Sequence, residues 1–171
     1  MSVTEELIAA NTGYAAGFTL GDLPLPPARK IAIVTCMDAR LIPSRALGLE
    51  EGDAHVIRNA GGLARDALRS LVISQQLLGT REIVVIHHTD CGMLTFTNEQ
   101  LQAKVRAELG ADASALDFLP FRNLEQSVVD DVTFLRESPL LLEGVPVRGF
   151  VFEVHDGRLT EVVVPDAATV P

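Results

Sequence analysis

Residues 82–93, EIVVIHHTDCGM, constrain the fold of this chain more than any other stretch. Ile83, Val84, Val85 and Ile86 form an unbroken branched apolar run, the pattern of a strand buried on both faces of a sheet. The run stops abruptly at side chains able to bind a metal. His88 and Cys91 follow it in a His-x-x-Cys spacing that lets imidazole and thiolate turn back onto one ion. Two ligands do not complete a site, and the missing partner lies upstream. In IAIVTCMDAR a second buried apolar run, residues 31–35, ends in Cys36, with Asp38 and Arg40 beyond it.

Composition limits what these two strand ends can belong to. With 171 residues, 47% of them hydrophobic, the chain suits one domain, 1–171, with a real core, and is short for two. Lysine and arginine number 14 against 23 acids, a formal charge of −9, and such a surface repels phosphate backbones, so no nucleic-acid partner is expected. The 2 cysteines are the two already named, which argues against a disulfide framework and for metal ligation. With no signal peptide apparent, a reducing cytoplasm is the expected compartment. The apolar runs are shorter than the ~18 residues needed to span a bilayer, so a soluble protein without membrane contact is expected.

In chain order, SVTE at residues 2–5 is a capping-box pattern that opens a helix, and Leu7, Asn11, Tyr14 and Phe18 then fall near one helical face. That face suits either the chain's own core or a partner subunit. Prolines in LGDLPLPP, residues 20–27, end the helix and make an arm or connector, so residues 1–27 form an N-terminal helix and arm. After the first strand, a short helix is expected at 44–49 and a strand at 55–59. Leu63, Ala67, Leu71 and Leu78 keep helical spacing to about residue 78, where Gly79 stops it. Helices are expected at 98–109 and 124–136 around a loop at 110–120. Runs at 147–154 and 159–164 flank Asp156-Gly157, a hairpin signal, and residues 165–171 read as a loose surface tail.

Strands alternating with helices predict an α/β fold. A mostly parallel central sheet, order 2-1-3-4, carries helices on both faces and an antiparallel edge strand from the last hairpin. In such sheets sites form beyond the carboxyl ends of strands, commonly between the first and third. Cys36 ends the first strand and His88 with Cys91 ends the third, so the fold closes a gap of about fifty residues. Two sulfurs and one nitrogen suit zinc, and three protein ligands leave a position for water. A closed structural site would have to recruit His87 or Asp38. Asp38 is placed to accept a hydrogen bond from zinc-bound hydroxide, and Arg40 to grip its carboxylate with a planar fork.

CMDAR, RNAGG at residues 58–62 and HHTDCG at 87–92 together resemble a β-class carbonic anhydrase, in order and spacing, over residues 31–93. The resemblance implies reversible hydration of carbon dioxide to bicarbonate and a proton, by attack of zinc hydroxide. Cys36, His88 and Cys91 would hold one Zn²⁺ per chain, and Asp38 with Arg40 would match the family's catalytic dyad. It further implies a homo-oligomer, dimer or tetramer, whose N-terminal helices embrace the neighbouring subunit. Ala39 stands where the family often has serine, and the chain has 0 tryptophans, so the resemblance does not extend to the family's bicarbonate-regulated branch, which uses one. Two alternatives stay open: a carbon disulfide or carbonyl sulfide hydrolase on the same scaffold, and a non-catalytic zinc- or bicarbonate-binding homologue.

Strand alternation turns His87 away from the ligands, into a packed or hydrogen-bonded role. His55 and His155 read as surface histidines, with proton relay to buffer the alternative, Arg58 as a partner in a structural or interface salt bridge, and Asp90 as the cap of a helix starting near Cys91. Gly61 and Gly62 suit either a close backbone approach to the site or the turn into the next helix, and are read as the turn.

Overall fold

A parallel pair of buried strands forms the centre of the computed structural model, which describes residues 2–165. β1 (Ile31–Cys36) and β3 (Glu82–His88) lie side by side, with Ile33 opposite Val84 and Thr35 opposite Ile86. Ala32, Val34, Ile83 and Val85 are at most 1% exposed, as an all-branched run demands when both faces are covered. β2 (Ala54–Asn59) pairs parallel to the other side of β1, and β4 (Val147–Phe152) parallel to β3. β5 (Leu159–Val162) closes the edge antiparallel to β4, giving the order β2-β1-β3-β4-β5. The hairpin forms around Gly157, whose φ of +75° suits the residue named by the Asp-Gly signal.

Before β1 comes helix α1 (Val3–Ala16), opened by the expected capping box of Ser2 and Glu5. α2 (Pro43–Leu47) takes proline in its first turn and ends at Gly48, with φ +62°. α3 (Ala64–Gln76) and α5 (Leu124–Arg136) pack on one face of the sheet. Ala67 and Leu71 of α3 and Val128, Val132 and Leu135 of α5 meet Ala32, Val34, Ile83, Val85 and Val147 in one core. α4 (Asn98–Leu109) has the expected bounds but buries none of its residues. α3 stops two residues before the expected end, because Leu77 already leaves the helix ahead of Gly79. Residues 166–171 of the expected tail lie outside the described residues.

The apolar face of α1 does not pack on the chain's own core. No residue of α1 is buried, and Val3 (71%), Leu7 (66%) and Ile8 (64%) face outward. Tyr14 holds the helix to the body by donating to Glu51 Oε1 at 2.5 Å. Among the described residues, no helix is long and apolar enough to cross a membrane.

Candidate metal centre

Parallel pairing of β1 with β3 brings both carboxyl ends to one edge of the sheet, so Cys36 and His88 finish side by side, and the following turn returns Cys91 to them. Sγ of Cys36, an imidazole nitrogen of His88 and Sγ of Cys91 all lie within 4.8 Å of one another. All three residues are buried, and both cysteines are free thiols. His88 Nδ1 donates to the Thr89 carbonyl at 2.8 Å, which turns Nε2 toward the sulfurs. Nε2 is fully buried beside the sulfurs and finds no well-formed hydrogen bond among the described residues, a state that costs free energy unless a lone-pair acceptor such as a metal ion fills it. With metal–sulfur bonds of about 2.3 Å and metal–nitrogen bonds of about 2.0 Å, donors this close fit one zinc ion.

The electrostatics favour a thiolate. The neighbouring Cys91 sulfur, and after it the His88 ring and the backbone at Asp38 and Gly61, favour charge on Cys36, so its thiol is held below its ordinary range despite burial. Cys91, the other half of that sulfur pair, is raised. Around them Leu63 and Met93, with Ala60, Leu94, Phe96, Leu119 and Phe121, form an apolar wall.

Asp38 and Arg40 stand at the edge of this group. Arg40 Nε donates to Asp38 Oδ1 at 3.0 Å and Nη2 to Oδ2 at 2.8 Å, and the Arg40 amide adds a bond to Oδ1 at 2.8 Å. Oδ2 lies 3.8 Å from His88 Nε2, so the carboxylate faces the donor group while held by the guanidinium. The Arg40 hydrogen bond is the main reason the Asp38 carboxyl sits well below the usual carboxylate range.

The other end of Arg40 corrects one expectation. Asp90 does not cap a helix: the short turn Gly92–Leu94 has no side-chain cap. Its carboxylate accepts from Arg40 Nη1 at 2.7 Å and its carbonyl from Nη2 at 3.0 Å, in a left-handed conformation with φ +53°. Arg58 differs too. Its guanidinium donates to the backbone carbonyls of Cys36 (3.0 Å) and Asp38 (2.7 Å), clamping the loop after β1 where a structural salt bridge was one expectation.

Gly62 is more than a turn. At φ +75°, a Cβ there would stand 2.8 Å from Cys36 N and Thr35 C and 3.0 Å from Ile86 O, so the backbone passes against both strand ends. His87 faces away from the ligands as expected, hydrogen-bonded at both nitrogens to Ser127 and Asp131. His55 is half-buried against Ser74, and exposed His155 sits on the β4–β5 turn; neither joins the donor group.

Comparison with known proteins follows the same lines. A family profile described as carbonic anhydrase matches residues 31–159. Beta-carbonic anhydrase 1 of Mycobacterium tuberculosis is 47% identical over 165 residues, covering 95% of this chain and 99% of that protein. A carbon disulfide hydrolase of Saccharolobus solfataricus is 34% identical over 160 residues, covering 79% of this chain and 78% of that protein. The crystal structure of a carbonic anhydrase from Streptococcus mutans superposes with a TM-score of 0.91 at 49% identity, over 95% of this chain and 99% of that one.

Proposed function

The chain belongs to the carbonic anhydrase family, in its β class, and from that premise we propose that Cys36, His88 and Cys91 hold its zinc and that Asp38 and Arg40 are its catalytic dyad. The protein is a zinc enzyme, a carbonate dehydratase that reversibly hydrates carbon dioxide to bicarbonate and a proton. Three buried donors within 4.8 Å, one of them His88 Nε2 without a well-formed hydrogen bond, carry the assignment. When bound, zinc acidifies a water molecule and so makes hydroxide available near neutral pH.

The chain's own groups do the rest. Asp38 Oδ2 accepts a hydrogen bond from the attacking oxygen and turns its lone pair toward carbon dioxide. Arg40, fixed on its far side by Asp90, keeps that carboxylate turned and would hold it back from the position that a metal ion would take among the three donors. Leu63, Met93 and Leu94 offer an apolar wall suited to a nonpolar gas and a poor hold for charged bicarbonate. The released proton passes to buffer.

We read the whole chain, 1–171, as one domain, with residues 1–27 as an arm. We read it as a homo-oligomer, dimer or tetramer, a reading supported by the outward-facing apolar residues of α1 together with exposed Leu25. Two free thiols kept for a metal fit a reducing cytoplasm. Hydrolysis of carbon disulfide is the second reading, supported by relatives at 34% identity against 47% for the anhydrases. X-ray absorption at the zinc edge tests the ligand set: two sulfurs with nitrogen and oxygen are expected, and one sulfur fewer in Cys36→Ser. A shell without sulfur would overturn the assignment.

A further inference from the structure

One buried polar constellation takes no part in the chemistry above. On the face of β3 opposite the ligands, His87 is 0% exposed, with Nε2 3.1 Å from Asp131 Oδ2 and Nδ1 2.7 Å from Ser127 Oγ. Its ring stacks on Phe121 at a centroid distance of 5.4 Å. Ser127 donates to the Leu124 carbonyl at 2.7 Å and sits one helical turn before Asp131 on α5. Asp131 is 6% exposed, and its Oδ2 also accepts the Ala64 amide at 2.9 Å. With the serine hydroxyl turned to its own helix and the imidazole enclosed, the group is not arranged as a hydrolytic triad.

Burying a carboxylate is costly, and apolar residues of the same volume would fill the space at less expense. What hydrogen bonds add is direction. The His87 end of the network belongs to the residue immediately before the ligand His88. Its Ala64 end closes the turn that carries Gly62, which passes so close to the end of β1 that a Cβ there would stand 2.8 Å from Cys36 N. A single oxygen, Asp131 Oδ2, therefore ties the strand that presents His88 to the turn that lies against the backbone of Cys36.

We propose that Asp131, with His87 and Ser127, is a positioning network that holds the strand-end ligands at metal-binding separation from the far side of the sheet. The role presupposes zinc at Cys36, His88 and Cys91. Asp131→Asn keeps the shape of the side chain and weakens its acceptor; Ser127→Ala removes one bond to His87. For each variant, zinc affinity by chelator competition, the visible spectrum of the cobalt-substituted protein and urea unfolding of the metal-free protein are measured.

Zinc binding is expected to weaken about 10- to 100-fold, as for groups that orient metal ligands, and the cobalt spectrum to shift. Leu135→Ala, in the core on the same helix, is expected to lower stability while leaving both metal readouts unchanged. Wild-type affinity and an unchanged cobalt spectrum in the two network variants would overturn the proposal, as would equal effects in Leu135→Ala. Should Asp131→Asn not fold, Ser127→Ala decides alone. Cys36→Ser separates the premise from the inference: zinc affinity undiminished in that variant would refute the ligand assignment itself.

Discussion

Replacing Gly62 by alanine tests how tightly the turn after β2 is built against the ligand strands. Gly62 and Gly79 share φ +75°, but nothing lies within 4 Å of a Cβ at Gly79, whereas one at Gly62 meets Cys36 N and Thr35 C at 2.8 Å and Ile86 O at 3.0 Å. Both alanine variants therefore carry the left-handed strain, about 1–2 kcal/mol. Only Gly62→Ala adds overpacking, worth about 1–3 kcal/mol, and the crowded atoms are backbone of paired strands that no rotamer change can move aside. The expected losses are about 1–2 kcal/mol for Gly79→Ala and about 2–5 kcal/mol for Gly62→Ala, a sizeable part of an ordinary domain's stability. Because the added methyl presses on the Cys36 amide, zinc affinity should fall in Gly62→Ala and not in Gly79→Ala. Urea unfolding of the metal-free proteins and chelator competition read both quantities. Equal destabilisation of the two variants, or undiminished zinc affinity in Gly62→Ala, would refute the close-approach argument.

Arg40→Ala is expected to lower turnover about 10- to 100-fold while leaving zinc content unchanged, because the guanidinium touches the carboxylate and not the donor group; unchanged turnover would remove the dyad from the mechanism. The hydrogen bond from Arg40 holds Asp38 below its ordinary carboxylate range, so the folded state takes up that proton at lower pH than the unfolded chain does. Its contribution to stability is complete above about pH 4 and is lost as the pH falls further, so the urea-midpoint penalty of Asp38→Asn in metal-free protein should be level at higher pH and shrink below about pH 4. A penalty that grew on acidification would contradict the sign. Removing residues 2–18 should leave a monomer by light scattering if α1 makes the subunit contact, and an intact oligomer would place that contact elsewhere.

Much of the centre was legible because apolar patterning and metal chemistry change at the same residues. Cys36 and His88 each end a buried run, and once β1 and β3 are parallel neighbours their meeting follows from the alternation of strands and helices. Strand alternation likewise turned His87 away, but its partners Ser127 and Asp131 lie 40 and 44 residues further on, on a helix whose rotation about its axis no local signal sets. Asp90 was misread because a carboxylate before a short helix suits a cap as well as an ion pair, and aspartate visits the left-handed region too seldom for its presence to announce that backbone. Arg58 was expected to seek an acid, yet an arginine fork also suits the backbone carbonyls at and just beyond the end of β1. The glycine pair announced a turn without saying what stood against it. For α1 the obstacle is one of principle: an apolar stripe reads the same whether it faces its own core or a neighbour's surface.

Stopped-flow hydration of carbon dioxide near pH 8.5, on protein whose zinc content has been measured, tests the central claim most directly. Fast proton release at about one zinc per chain, abolished by chelation and restored by zinc, is the result expected of Cys36, His88 and Cys91 presenting an open position on one ion. Absence of hydration with zinc fully bound would contradict it.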